Sequence, residues 1–276
     1  MKKFNLLLTS LTLFGLLSFS GCGSNEDSSN SSSTIEVERV KYEVIVKTIG
    51  NRRLGDVTVE LYKDNALVES GVTNFIGKAV IEAPKGEYDV QLKNLPAGVI
   101  IENEFKISGE PGQYTFECMT QVIKEERPEN KIYQFGDIMY DFTVKDSRGL
   151  DYTLSESFED GKSLVLINFW ATWCGYCIQE FPHFNTAIDI YEDELDIIAL
   201  TVEPSDSNAV INEFMDDKNI NFRMGRDINY EHYLSFGFTG SIPASVLVNK
   251  YGEIVFLEVG AFDEDTLLDL IDSNLL

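Results

Sequence analysis

Two cysteines three positions apart, Cys174 and Cys177 in the run Trp173-Cys174-Gly175-Tyr176-Cys177, are the residues of this chain best suited to chemistry. On a helical turn that spacing puts both thiols on one face. One sulfur can then attack an external disulfide and the other can resolve the mixed disulfide. Zinc binding and structural bridging are the competing uses. A single CxxC supplies two of the four ligands of a structural zinc site, and the chain holds 4 Cys and 2 His with no second CxxC. No metal is therefore expected, and the working group is a redox-active Cys174–Cys177 disulfide with no added cofactor. His183 and His232 lack the partners of a catalytic triad or a metal site and are expected to be structural or on the surface.

The elements around the pair explain how it would be positioned. Residues 163–170, Ser-Leu-Val-Leu-Ile-Asn-Phe-Trp, form a near-continuous apolar run, as in a strand covered on both faces. Residues 178–191 carry Phe181, Phe184, Ile188 and Tyr191 at helical spacing, and residues 195–202 form a second buried strand. Strand, helix and strand imply a right-handed βαβ unit with Cys174 where the first strand gives way to the helix. The positive end of a helix favours thiolate, lowering a free-thiol pKa of about 8.5 toward or below about 7. Further helices are expected at 208–217, 230–236 and 263–271. Hairpins are expected around Ser147-Arg148-Gly149 and around Lys250-Tyr251-Gly252, the latter joining strands 245–249 and 254–258.

The rest of the 276-residue chain divides by composition. Residues 1–21 have a basic start, Lys2-Lys3, and an uncharged stretch too short for a typical membrane span, as in an export signal. The segment closes on Phe19-Ser20-Gly21-Cys22, which resembles the bacterial lipobox, with Phe19 in place of the usual Leu. Cys22 is the expected lipidation site; the alternative is an ordinary cleaved signal with an incidental Cys. Residues 22–34 then form a Ser/Asn-rich tether. Residues 35–124 show the alternation of half-buried strands, as in Val40-Lys41-Tyr42-Glu43-Val44, between regular turn residues, and predict an all-β sandwich with antiparallel strands. Gly55-Asp56-Val57-Thr58-Val59-Glu60-Leu61-Tyr62, Gly86-Glu87-Tyr88-Asp89-Val90 and Leu95-Pro96-Ala97-Gly98 resemble the prealbumin-like sandwiches of bacterial surface proteins, which implies a spacer or docking module. Cys118 shares a face with Tyr114 and Phe116 and is expected to be a buried thiol, a sensing or resolving role being the alternative. A polar run at 125–132 with Pro128 marks a linker, and 133–276 is the last domain.

That last domain holds 27 Asp and Glu against 7 Lys and Arg, most of the chain's net charge of −24. An acidic surface repels phosphates, so nucleic acid is excluded as a partner.

The segment Asn168-Phe169-Trp170-Ala171-Thr172-Trp173-Cys174-Gly175-Tyr176-Cys177 resembles the active site of the thioredoxin superfamily. The resemblance implies a thioredoxin-like α/β fold, a mixed sheet flanked by helices, over 133–276. Pro182 matches the proline of the active-site helix, and Ile242-Pro243-Ala244 matches the cis-proline loop that faces the cysteines. Trp173, Ile242 and Pro243 are accordingly expected to hold substrate, with a cis bond at Pro243. Two departures from cytosolic thioredoxin point to the exported TlpA-like and ResA-like relatives. Asn168 stands where thioredoxin has a buried Asp, and Glu180 lies three residues after Cys177, where the ResA-like proteins have a Glu assigned to proton exchange with the inner thiol. A solvated helix carboxylate is the alternative for Glu180.

These features together imply a lipid-anchored thiol-disulfide oxidoreductase on the extracytoplasmic face of a bacterial membrane, serving cell redox homeostasis. The resemblance implies reduction of disulfides in exported proteins, such as apocytochrome c, with electrons from a membrane thiol donor. An oxidative-folding role, a peroxiredoxin-like antioxidant and a surface binding module built on the sandwich are the alternatives. Against the peroxiredoxin, Ile167 and Ala171 occupy the places of its Pro and Thr.

Overall fold

The computed structural model describes residues 37–275. The expected signal at 1–21, the lipidation candidate Cys22 and the tether to 34 lie outside the described residues. Among the described residues no helix is long and apolar enough to cross a membrane.

Eight strands come first: β1 Arg39–Thr48, β2 Thr58–Lys63, β3 Ala66–Val72, β4 Lys78–Pro84, β5 Glu87–Lys93, β6 Val99–Ile100, β7 Phe105–Ser108 and β8 Gly112–Thr120. They form two four-stranded sheets, ordered β4-β1-β8-β6 and β3-β2-β5-β7. Alternate residues point into one shared core: Tyr42, Val44 and Val46 from β1, Ile81 from β4, Tyr88 and Leu92 from β5, Phe116 and Cys118 from β8. The period-2 pattern in the sequence is this alternation. Asp64 and Asn65, both at positive φ, make the two-residue turn between β2 and β3 that such a hairpin needs. One expectation is corrected: the strands are not all antiparallel, since β8 runs parallel to β1 with Val46 opposite Phe116. The reason is topological: β8 follows β7 of the other sheet after only residues 109–111, crossing between the sheets, and enters β1's sheet in β1's own direction.

A short hairpin, β9 Thr143–Lys145 and β10 Asp151–Thr153, leads into α1 Leu154–Glu159. Then follow β11 Leu164–Trp170, α2 Gly175–Ile190, β12 Leu195–Thr201, α3 Asn208–Lys218, β13 Arg223–Arg226, α4 Glu231–Ser235, β14 Ala244–Asn249, β15 Ile254–Val259 and α5 Glu264–Asp272. The sheet order is β13-β12-β11-β14-β15, with β11, β12 and β13 mutually parallel and β14 antiparallel to both of its neighbours, β11 and β15.

Central β11 is buried along its whole length and serves two cores. Leu164, Leu166 and Trp170 face α2, α3 and α5, packing with Phe181, Phe184, Ile211 and Leu267. Val165, Ile167 and Phe169 face the opposite side, with Tyr152, Leu154, Tyr233 and Phe236. Burial of such side chains stabilises by roughly 1.5–3 kcal/mol each, which is why this strand has almost no polar residue. Its exception is Asn168, which by parity lies on the face under α2. Neither α1 nor β13 stands out in the sequence. β13 is four residues of Arg-Met-Gly-Arg, and a Cβ at Gly225 would lie 2.9 Å from the Lys145 carbonyl oxygen, so close packing on β9 dictates its glycine.

The polar run from Lys124 to Asn130 is largely exposed, but Val122 and Ile123 before it and Ile138 and Met139 further on are buried. Val122 and Met139 belong to one core of the five-stranded sheet, while their neighbours Ile123 and Ile138 belong to the core of β1–β8. Backbone bonds tie the segments together: Ile123 N–H donates to the Met139 carbonyl and Met139 N–H to the Gly252 carbonyl, each at 2.8 Å.

Candidate active site

The candidate cysteines lie at the C-terminal end of β11. A turn closed by the Cys174 N–H on the Ala171 carbonyl at 3.0 Å leads into α2, with Cys174 as its N-cap. Cys174 and Cys177 are joined by a disulfide with an S–S distance of 2.06 Å. The Cys177 N–H donates to Cys174 Sγ at 3.2 Å, one of the free amides at the helix start aimed at the sulfur. No acidic side chain occupies the first turn of α2 to oppose a thiolate there. Cys174 is 5% exposed and Cys177 is fully covered, so Cys174 is the sulfur that an incoming disulfide can reach.

Glu180 is one turn further along α2 and wholly buried, which sets aside the alternative of a solvated helix carboxylate. Two donors hold it. Asn168 Nδ2 donates to Oε1 at 2.8 Å, and the Phe262 N–H donates to Oε2 at 3.2 Å. Burial outweighs both and pushes the Glu180 carboxyl up to about 8. A carboxyl titrating there can take or return a proton at neutral pH. Asn168 Nδ2 also donates to Ser245 Oγ at 3.0 Å, its cross-strand neighbour on β14.

The Ile242–Pro243 peptide bond is cis. Ile242 packs against the apolar cluster that contains both cysteines, and Pro243 is buried at the entry to β14. Trp173 and Tyr176 flank Cys174 and are 67% and 70% exposed. The structure thus brings together every candidate site residue except Cys22, which lies outside the described residues.

Several supports were not evident in the sequence. Buried Asp206 accepts from the Thr172 N–H at 3.0 Å and the Thr172 hydroxyl at 2.6 Å, fixing the loop before Cys174, and from the Thr201 hydroxyl at 2.7 Å. Glu203 accepts from the Trp173 indole N–H at 2.9 Å and so sets the plane of the exposed ring. Hydrogen bonds from Ser205 first, then from Trp173, hold the Glu203 carboxyl below its ordinary value. Ser205 and Asp206 lie in a turn before α3, where a sequence suggests capping and nothing more. The histidines are apart from the site: His183 faces Glu264 at 3.4 Å, and His232 packs against Phe142 with ring centroids 4.7 Å apart and the planes tilted by 43°.

Residues 134–271 match the family described as Redoxin. The chain belongs to the redoxin family. Its redoxin region is similar to three curated relatives, each a thiol-disulfide oxidoreductase ResA. The protein from Oceanobacillus iheyensis is 30% identical over 149 residues, 53% of this chain and 76% of that one. The protein from Halalkalibacterium halodurans is 26% identical over 145 residues, 52% of this chain and 79% of that one. The one from Bacillus subtilis is 26% identical over 132 residues, 48% of this chain and 70% of that one. The redoxin domain has a thioredoxin-like fold, and the protein is an oxidoreductase of the thiol-disulfide class.

Proposed function

We propose that the protein is an extracytoplasmic, lipid-anchored oxidoreductase that reduces disulfides of exported proteins through Cys174 and Cys177. The observation that carries this is the buried Glu180, one turn below Cys177 on the helix that Cys174 caps. The Cys174 thiolate attacks a substrate disulfide, forming a mixed disulfide and releasing one substrate thiolate. Cys177 then passes its proton to Glu180 and attacks the Cys174 sulfur. The second substrate thiol leaves, two electrons have moved to substrate, and Cys174–Cys177 is a disulfide again. Trp173, Ile242 and Pro243 hold the substrate backbone. A membrane thiol donor restores the dithiol. Apocytochrome c fits the substrate class that the resemblance implies, and the kinship with proteins named thiol-disulfide oxidoreductase ResA supports disulfide exchange as the reaction.

Lipidation at Cys22 would tether the chain, and the two sheets of β1–β8 would serve as a prealbumin-like spacer or docking module. The test is to equilibrate the Cys174–Cys177 couple in defined redox buffers while trapping partners with Cys177→Ser. A potential near the thioredoxin value of about −270 mV, with exported proteins in the trapped mixed disulfides, supports reduction. A potential near about −120 mV would overturn it in favour of oxidative folding.

A further inference from the structure

The polar group beneath Cys177 contains an amide used on one edge only. Asn168 is fully buried, and its Nδ2 hydrogens go to Glu180 Oε1 at 2.8 Å and Ser245 Oγ at 3.0 Å. Its Oδ1 is buried with no hydrogen-bond partner. A bare buried acceptor costs about 1–3 kcal/mol, so the position calls for a reason.

The reason lies in what Glu180 must do. As a carboxylate it accepts at both oxygens; as a carboxylic acid it must place one O–H. Oε2 faces the Phe262 backbone N–H at 3.2 Å, a donor that cannot become an acceptor. The proton therefore belongs on Oε1, where it meets the Nδ2 of Asn168, a second donor. Half a turn of the amide about its terminal torsion removes the conflict. That torsion is broad and roughly two-fold. Oδ1, with two lone pairs, then accepts from the Glu180 O–H and from the Ser245 hydroxyl, whose hydrogen has only to rotate. Nδ2 moves to the edge where Oδ1 already has no partner, so the turn breaks no bond there. An aspartate at 168 could not play both parts: ionised, it only accepts, and it would set a second negative charge against Glu180.

We propose that Asn168 is a positioning residue whose side-chain amide reverses as Glu180 gains or loses its proton, keeping the carboxyl hydrogen-bonded in both states. Its use in catalysis rests on Glu180 being the proton partner of Cys177. Either protonation state then has a partner ready, and proton exchange leaves no carboxyl oxygen facing a like group.

The decisive measurement uses the full chain in its disulfide form, where neither cysteine titrates, with nitrogen-15 in the asparagines. The pH is carried from well below to well above the Glu180 midpoint. Above it, the Asn168 NH2 protons should show nuclear Overhauser contacts to the Ser245 side chain. Below it these should vanish, with the same midpoint as the Glu180 carboxyl carbon. Contacts that persist unchanged through the Glu180 titration would overturn the proposal. Asn168→Leu gives a second readout. A reversing amide serves both forms of Glu180, so its loss should slow exchange about tenfold while moving the Glu180 midpoint by less than about half a unit. A fixed donor serves only the carboxylate, and its loss would raise the midpoint by about a unit or more, again overturning the proposal. If Glu180→Gln has wild-type thiol titration and rate, the proton-partner role fails, while the nuclear Overhauser result still decides the reversal.

Discussion

A glutamate is buried at each end of the five-stranded sheet, and the two are held in opposite ways. Glu180 lies at the Trp170 end of β11, where its partners are an amide side chain and one backbone N–H, beside a sulfur pair that changes covalent state. Glu253 lies at the Leu164 end, just after the β14–β15 turn, where β11 pairs with Asn249. There Glu253 pairs with Ile138, and a Cβ on Gly50 would stand 2.0 Å from its Oε2. One carboxylate is held by an amide that can reorient and by one fixed backbone N–H, while the other lies against the backbone of Gly50. The fold places adjustable polar chemistry at one end of the sheet and close-fitted packing at the other.

The largest effect expected at the adjustable end is from Cys174→Ser, which should abolish disulfide exchange while leaving the urea midpoint of the variant near that of the reduced wild type. Unfolding of that variant at much lower urea would show that the catalytic end also carries the packing. Glu180→Gln should lower exchange at neutral pH by about 100-fold, the scale of a positioned acid or base, measured as reduction of a protein disulfide. It should also change how stability depends on pH. The folded carboxyl is raised from 4.5 to about 8, so between those values the folded chain retains a proton that the unfolded chain has released. Its stabilising contribution is therefore complete below about pH 4.5 and is lost as pH rises through about 8. Urea unfolding of the disulfide form should show that decline in the wild type and a flatter profile in Glu180→Gln.

At the packed end the expected losses are of stability and not of chemistry. Gly252 has φ +75, and a Cβ there would lie 2.7 Å from the Val122 backbone nitrogen. Gly252→Ala should cost about 2–4 kcal/mol from left-handed strain and overpacking together. Exchange per folded molecule should be unchanged; a matching loss of rate would dissolve the contrast between the two ends. The smallest effect is expected in the core of β1–β8. Burial pushes the Cys118 thiol up to about 11, so it should resist alkylation in the native chain. Cys118→Ala should cost about 1 kcal/mol and leave exchange intact, checked by melting and by rate.

How much of this could be read from the residues depended on how local the cause was. The apolar run of β11 declares a strand covered on both faces, and the CxxC next to it declares the chemistry. Cys118 is legible for the same reason, since alternation in β8 places it inward. Asn168 and Glu180 each stand out in the sequence, but their hydrogen bond does not: it depends on how α2 crosses β11. Phe262 and Ser245 complete the group from elements further along the chain, and no spacing rule connects them. Asp206 is not legible for a similar reason, its role being fixed by a loop that only the folded sheet brings near. The parallel pairing of β1 with β8 is likewise set by connection and not by pattern.

The exposed run from Lys124 to Asn130 is the natural place for a protease to cut, yet cutting it should not part the molecule. Val122 and Ile123 are gripped by different cores on one side of the run, and Met139 and Ile138 by the same two cores on the other. A nicked chain should separate into two fragments on a denaturing gel and elute as one particle under native conditions.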